Sequence, residues 1–270
     1  MRSPELRAAI TSSKVEAFAR YPHEMPVACA RLLIVLLCVG ALCLAAAVPA
    51  WANDAEEQLG AWTGVQSNVR LTRRWSGFLQ GEVRTWDLAA NLNETLVRAA
   101  AQFDVTPSFM VGLGYVRADT WGFDASFGAR KRGEDRFYQE LRKTHPFGRL
   151  TLQHRVRIEQ RWFRENGRST MGNRGRYFIG ATLPVTGRKI VPGSTFLRAT
   201  NEIFLNYASD AVRTYPDRAD VFDQNRLYLG VGRQFTKDSN LQVGLLWQAR
   251  TEYDFFRLVI TYTHNFDLRG

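Results

Sequence analysis

The sequence predicts an all-β protein: an antiparallel up-and-down transmembrane β-barrel of about ten to twelve strands. Three observations carry this. Apolar and polar residues alternate with a period of two along most of the chain after residue 60, the spacing that sends successive side chains to opposite faces of a strand. An export signal precedes the alternation. The connections between alternating segments are short and long by turns, the pattern of outer-membrane barrels.

The export signal is read first. Arg31 precedes an apolar run from Leu32 to Val48, which ends in Pro49-Ala50-Trp51-Ala52. That is a basic region, an apolar region and a small-x-small cleavage site. Residues 1–52 are therefore a signal peptide, with Met25 a plausible true start, and residues 53–270 are the barrel domain. A short membrane-anchoring helix is the competing reading, and the Ala-x-Ala exit and the polar segment Asn53 to Gln58 argue against it. Cys29, Cys38 and Cys43 all fall inside the signal. The chain beyond it has no disulfide framework and no thiolate for metal or catalysis. Leu37 and Leu42, which precede Cys38 and Cys43, argue against lipid attachment.

Removing the five basic and three acidic residues before Asn53 leaves a net charge of +8. The arginines alternate with acids on the polar faces of strands, which reads as an internal or ligand-facing wall, not a stripe for nucleic acid. Beyond the signal, no apolar run is long enough for a membrane helix. A chain that spans a membrane without helices must do so as a closed sheet, because only that satisfies every backbone group in lipid.

The strands follow in order. Val65, Val69 and Leu71 oppose Trp62, Gln66, Asn68 and Arg70. Trp75, Leu79 and Val83 oppose Gln80, Glu82 and Arg84. Val97, Ala99, Phe103 and Val105 oppose Arg98, Gln102 and Asp104. Phe109, Val111, Leu113 and Tyr115 oppose Gly112 and Gly114. Phe137 and Leu141 oppose Glu140 and Arg142. Leu150, Leu152, His154, Val156 and Ile158 oppose Arg155, Arg157, Glu159 and Arg161. Tyr177, Ile179 and Leu183 oppose Arg176 and Thr182. Leu197, Ile203 and Leu205 oppose Arg198, Thr200 and Glu202. Leu227, Leu229 and Val231 oppose Arg226, Tyr228 and Gly230. Leu241, Val243, Leu245 and Trp247 oppose Gln242, Gln248 and Arg250. Phe256, Leu258, Ile260 and Tyr262 oppose Arg257, Thr261 and Thr263.

Short connections are expected at Thr72–Trp75, Thr106–Ser108, Pro146–Arg149 and Thr236–Asn240, with Thr186–Gly193 intermediate. Longer ones are expected at Asp87–Glu94, Asp119–Glu134, Arg164–Asn173 and Asn206–Asp223, with a tight hairpin at Asp254. The count comes to about eleven, which conflicts with the even numbers of bacterial barrels. Trp62, Trp75, Trp86, Phe109, Trp121, Phe137, Trp162, Tyr207 and Phe266 sit near segment ends and are expected in two interfacial girdles. The alternation into Phe266 resembles the assembly signal of outer-membrane proteins, although four residues follow the Phe.

An ordered set of residues carries a family resemblance. Trp62-Thr-Gly-Val-Gln66, Leu71, Trp75, Glu82, Arg84, Asn225-Arg-Leu-Tyr-Leu-Gly-Val-Gly232 and Trp247-Gln248 resemble the family known as domain of unknown function 2490. That resemblance implies an outer-membrane β-barrel of Gram-negative bacteria. It implies contact with outer-membrane lipid and lipopolysaccharide, passage through the barrel assembly machinery, and no catalytic residues.

The sequence offers no convincing catalytic constellation, so no enzyme, metal or cofactor is expected. His145, His154 and His264 are the only histidines after the signal, and none falls in a Ser-His-acid arrangement. Most of the acids have arginines two positions away on the same face, which favours ion pairing over a carboxylate dyad. The expected interior network is Glu82, Arg84, Arg98, Asp104, Glu140, Arg142, Arg155, Arg157, Glu159, Arg161, Arg176, Arg198, Glu202, Arg226, Arg250 and Arg257. A barrel of this size has an interior close to filled by side chains. The expected role is a structural or surface-interaction barrel with a plugged, salt-bridged lumen and an unknown ligand. A narrow anion-preferring channel is the runner-up, followed by a lipid-modifying enzyme and a soluble periplasmic β-sandwich binding module.

Overall fold

A computed structural model describes residues 59–86, 88, 91–121, 130–165, 167–207, 221–251 and 254–269. The expected signal and its cleavage point at Ala52–Asn53 lie outside the described residues, as do the central parts of the Asp119–Glu134 and Asn206–Asp223 connections.

Each alternating segment forms a strand: β1 (Gly60–Arg70), β2 (Trp75–Thr85), β3 (Leu92–Thr106), β4 (Phe109–Trp121), β5 (Arg130–Phe147), β6 (Leu150–Glu165), β7 (Arg168–Pro184), β8 (Thr195–Tyr207), β9 (Phe222–Gln234), β10 (Ser239–Ala249) and β11 (Asp254–His264). A two-residue strand, β12 (Phe266–Asp267), continues the line of β11. Every consecutive pair from β1 to β11 is antiparallel, and β11 pairs with β1 to close the barrel. Asn265 sits between β11 and β12 and spans the gap with its side chain, whose Oδ1 accepts from the backbone N–H of Asn68 at 3.1 Å and from Asn68 Nδ2 at 3.0 Å.

The conflict over strand number is settled by the direction of closure. Eleven up-and-down strands leave the first and last running the same way, and β1 and β11 pair in parallel, from Gly60 opposite Arg257 to Gln66 opposite Thr263. The barrel is odd-numbered, with one parallel seam.

Two expected connections are shorter than the sequence suggests. β6 and β7 continue through most of Arg164–Asn173, and between them Gly167 takes a φ of 74°, a left-handed conformation that costs glycine little. β5 likewise begins at Arg130, inside the expected Asp119–Glu134 loop. In both places the strand ends carry polar residues on both faces, so alternation of greasy and polar residues fades before the strand does.

The faces are inverted relative to a water-soluble protein. Val97 and Leu113 on the outer face are 62% and 64% exposed, whereas Glu134 and Glu159 on the inner face are 1% and 0% exposed. Buried apolar residues inside include two small clusters, Leu96, Val116 and Tyr138 in one and Trp62, Tyr228 and Leu246 in another. Inner glycines make room for rings. A Cβ on Gly114 would collide with the Tyr138 ring, one on Gly232 with Phe196, and one on Gly230 with Tyr228.

Candidate functional site: the charged barrel interior

The inward residues of β5, β6, β7 and β8 form a continuous ion-pair network. Direct cross-strand registry brings Glu140 beside Arg157 and Glu159 beside Arg174. Arg157 donates to Glu140 through Nε at 3.0 Å, and Arg142 donates to the same carboxylate at 2.7 Å. Glu159 accepts from Arg174 Nε at 2.9 Å, Arg174 NH2 at 2.7 Å and Arg176 NH1 at 2.6 Å. Arg176 also grips Glu202 with two hydrogen bonds of 3.0 and 2.9 Å, and Arg155 donates to Glu202 at 2.7 Å. Charge-assisted, forked bonds of this kind fix geometry as well as supply energy.

A second group lies toward the long-connection rim. Glu134 accepts from Arg136 at 2.7 and 2.9 Å and from Arg161 at 2.5 Å. Arg84 donates to Glu82 at 2.5 Å and Glu94 at 2.9 Å. At the opposite rim Asp104 pairs with Arg70 at 2.5 Å.

Other arginines of the expected set meet neutral partners or rings. Arg98 donates to Gln80 at 2.9 Å, Arg198 to Thr182 at 3.1 Å and Arg226 to Gln224 at 3.1 Å. Arg257 lies over the rings of Phe255 and Trp86, 4.4 and 5.6 Å from their centroids. Arg250 follows β10 and lines the cavity at the long-connection rim.

The sequence reading omitted Arg70, Glu94, Glu134, Arg136, Arg174 and Asp223 from the network. Glu134 and Arg174 sit in strand extensions whose neighbours, such as Gly133 and Gly175, are not apolar, whereas Arg136 directly precedes the outward Phe137 and was passed over. Continuing the parity past the last greasy residue would have found them. Asp135 itself faces outward, where Tyr115, Arg117 and Arg164 contact it.

The girdle assignment needs two corrections, at Trp86 and at Trp62. Trp86 lines the long-connection cavity beneath Arg257. Trp62 is 6% exposed and lies inside, because it shares the parity of Gly64 and Gln66. Trp75, Phe137, Tyr207 and Phe266 are exposed. His145 and His154 stack at 5.5 Å, and His154 Nδ1 is 2.8 Å from Tyr177 Oη. His264 packs on Phe266 at 4.7 Å.

Two cavities open within the barrel. One, of about 310 Å³, is lined by residues at the long-connection ends of the strands, among them Trp62, Arg84, Phe204 and Arg226. The other, of about 410 Å³, lies at the short-turn end, among Arg70, Asp104, Arg142 and Asp267. They share no lining residue.

Fold and interior together define a closed β-barrel with charge inside and apolar side chains outside. The chain belongs to the family described as protein of unknown function (DUF2490), which matches residues 59–255, from just before β1 into β11. No curated protein and no solved structure matches it.

Proposed function

We propose that this protein is an outer-membrane β-barrel with a structural or surface-interaction role, whose lumen is closed at mid-height by paired arginines and carboxylates. The observation that carries the reading is the separation of the two cavities. Between them lie Tyr138, Glu140, Arg157 and Phe178, each less than a tenth exposed. Supporting the membrane location are the exposed apolar outer face, too extensive for a protein surrounded by water, and strands of at least eleven residues from β1 to β11, enough to cross a bilayer at a tilt.

Two measurements test this. Unheated protein should migrate differently from boiled protein on a detergent gel, as closed barrels do, and planar bilayers containing it should remain silent. Identical mobility would reject the barrel in solution. A second reading, the narrow anion-preferring channel, draws on the cationic excess around the long-connection cavity. Steady anion-selective current in the wild type would promote it over the plug.

A further inference from the structure

Arginines and aromatic rings alternate across the upper lumen in a ladder. The Arg84 guanidinium lies over Trp62 at 4.0 Å, Arg226 lies over the same ring at 4.7 Å and over Phe204 at 4.6 Å, and Arg176 lies over Phe204 at 4.4 Å. The ladder thus runs from β2 through β1 and β9 to β8 and β7. Its two ends are neutralised, Arg84 by Glu82 and Glu94, and Arg176 by Glu159 and Glu202. Its centre is not. Among the described residues Arg226 has no carboxylate within ion-pair distance; its guanidinium donates to the neutral Gln224 at 3.1 Å.

Other donors around the same cavity lack acceptors. The Trp62 indole N–H is buried with no hydrogen-bond partner, and so is Nε of Arg98, whose NH1 is bound to Gln80. The two carboxylates that line the cavity, Glu94 and Asp223, are already bonded to Arg84 and Arg174. A buried donor needs an acceptor, and a buried guanidinium needs a counter-charge. Trp62, Arg98 and Arg226 all line one cavity of about 310 Å³, within the usual range of about 300–1,000 Å³ for small-molecule sites.

We propose that this cavity binds a small organic anion that carries a planar ring, with Arg226 as its charged anchor and the Trp62 N–H as a second donor. The partly exposed rings on its wall, Trp86 and Phe255, suit a ring better than a bare inorganic ion. This goes beyond the plugged-barrel reading, because a ligand seated above the closed layer need not cross it.

The probe is phenyl phosphate, titrated by calorimetry into the full-length protein in neutral detergent at low salt. Inorganic phosphate, glycerol phosphate and benzyl alcohol serve as comparators. Phenyl phosphate should saturate a single site at least tenfold more tightly than either phosphate without a ring, and benzyl alcohol should not bind. Arg226→Gln should weaken binding at least tenfold, and Trp62→Phe, which keeps the ring and removes the N–H, several-fold. Arg142→Gln, at the opposite cavity, should stay within twofold of wild type. Gel mobility before and after heating checks that each variant is folded; if Arg226→Gln does not fold, Trp62→Phe carries the test. No saturable binding to the wild type overturns the proposal, as does affinity within twofold of wild type in the folded variants. Equal affinity for glycerol phosphate overturns the ring-bearing class in favour of a lipid headgroup, and equal affinity for inorganic phosphate reduces the site to a bare anion hole.

Discussion

Removing the Glu159 carboxylate should be among the most damaging single changes to this barrel. The side chain is 0% exposed and accepts three hydrogen bonds, two from Arg174 and one from Arg176, and Arg157 lies 3.8 Å away. In Glu159→Ala these three guanidinium groups lose their common counter-charge. Breaking a buried pair by removing one partner costs about 3–5 kcal/mol, because the other charge stays buried. Arg176 keeps Glu202 and Arg174 keeps Asp223, which favours the lower part of that range. For a domain of about 150–250 residues each kcal/mol moves the melting temperature by roughly 2–4 °C, so a fall of about 6–20 °C is expected. The assay is the temperature at which the compact gel band converts to the unfolded one. Asp238→Ala is the control: its partner Lys237 is 85% exposed at 3.9 Å, and exposed pairs contribute about 0–1 kcal/mol. A Glu159→Ala transition within about 2 °C of wild type would refute the reasoning and mean that these charges are solvated.

Leu229→Arg should impair assembly, since Leu229 is on the apolar outer face and an arginine near a bilayer midplane costs about 2–4 kcal/mol. Gln242→Arg, on the inner face, should assemble nearly normally; equal yields of folded protein would reject the assigned faces. Gly230→Ala should lower the melting transition by about 2–12 °C through overpacking of about 1–3 kcal/mol, because its Cβ would press on Tyr228 and on the Val243 carbonyl at 2.9 Å, whereas nothing lies within 4 Å of a Cβ on Gly81; thermal melts of the two variants decide it. N-terminal sequencing of membrane-purified protein should begin at Asn53, and recovery of peptides from Leu32–Val48 would overturn the cleavage site.

The parity of the eleven strands was legible because it needs only one greasy face, and residues such as Val97, Leu113 and Leu229 supply it. Strand ends were not, since Glu134 and Arg174 lie where both faces turn polar. The charged residues of the interior could be named from sequence, but their partners could not. Pairing depends on register between strands, and at the seam on residues as far apart as Gln66 and Thr263, 197 positions along the chain. The arginine–aromatic ladder was invisible for the same reason: Arg84, Trp62, Arg226, Phe204 and Arg176 belong to five strands and meet only after closure. Tyr228 illustrates the cost of judging by parity alone. It is an inner residue, yet it is packed against Trp62 and Leu246, so replacing it tests packing and not tolerance to charge.

The parallel seam has a mechanical consequence. β1 starts at the long-connection rim and β11 finishes at the short-turn rim. Tension applied between Gly60 and His264 therefore pulls the two strands lengthwise past one another, and the seam's hydrogen bonds bear the load together. In a barrel with an even number of strands both ends leave by one rim, and the same tension peels the closing pair apart one bond at a time. The odd strand turns the closure from a zipper into a shear clamp.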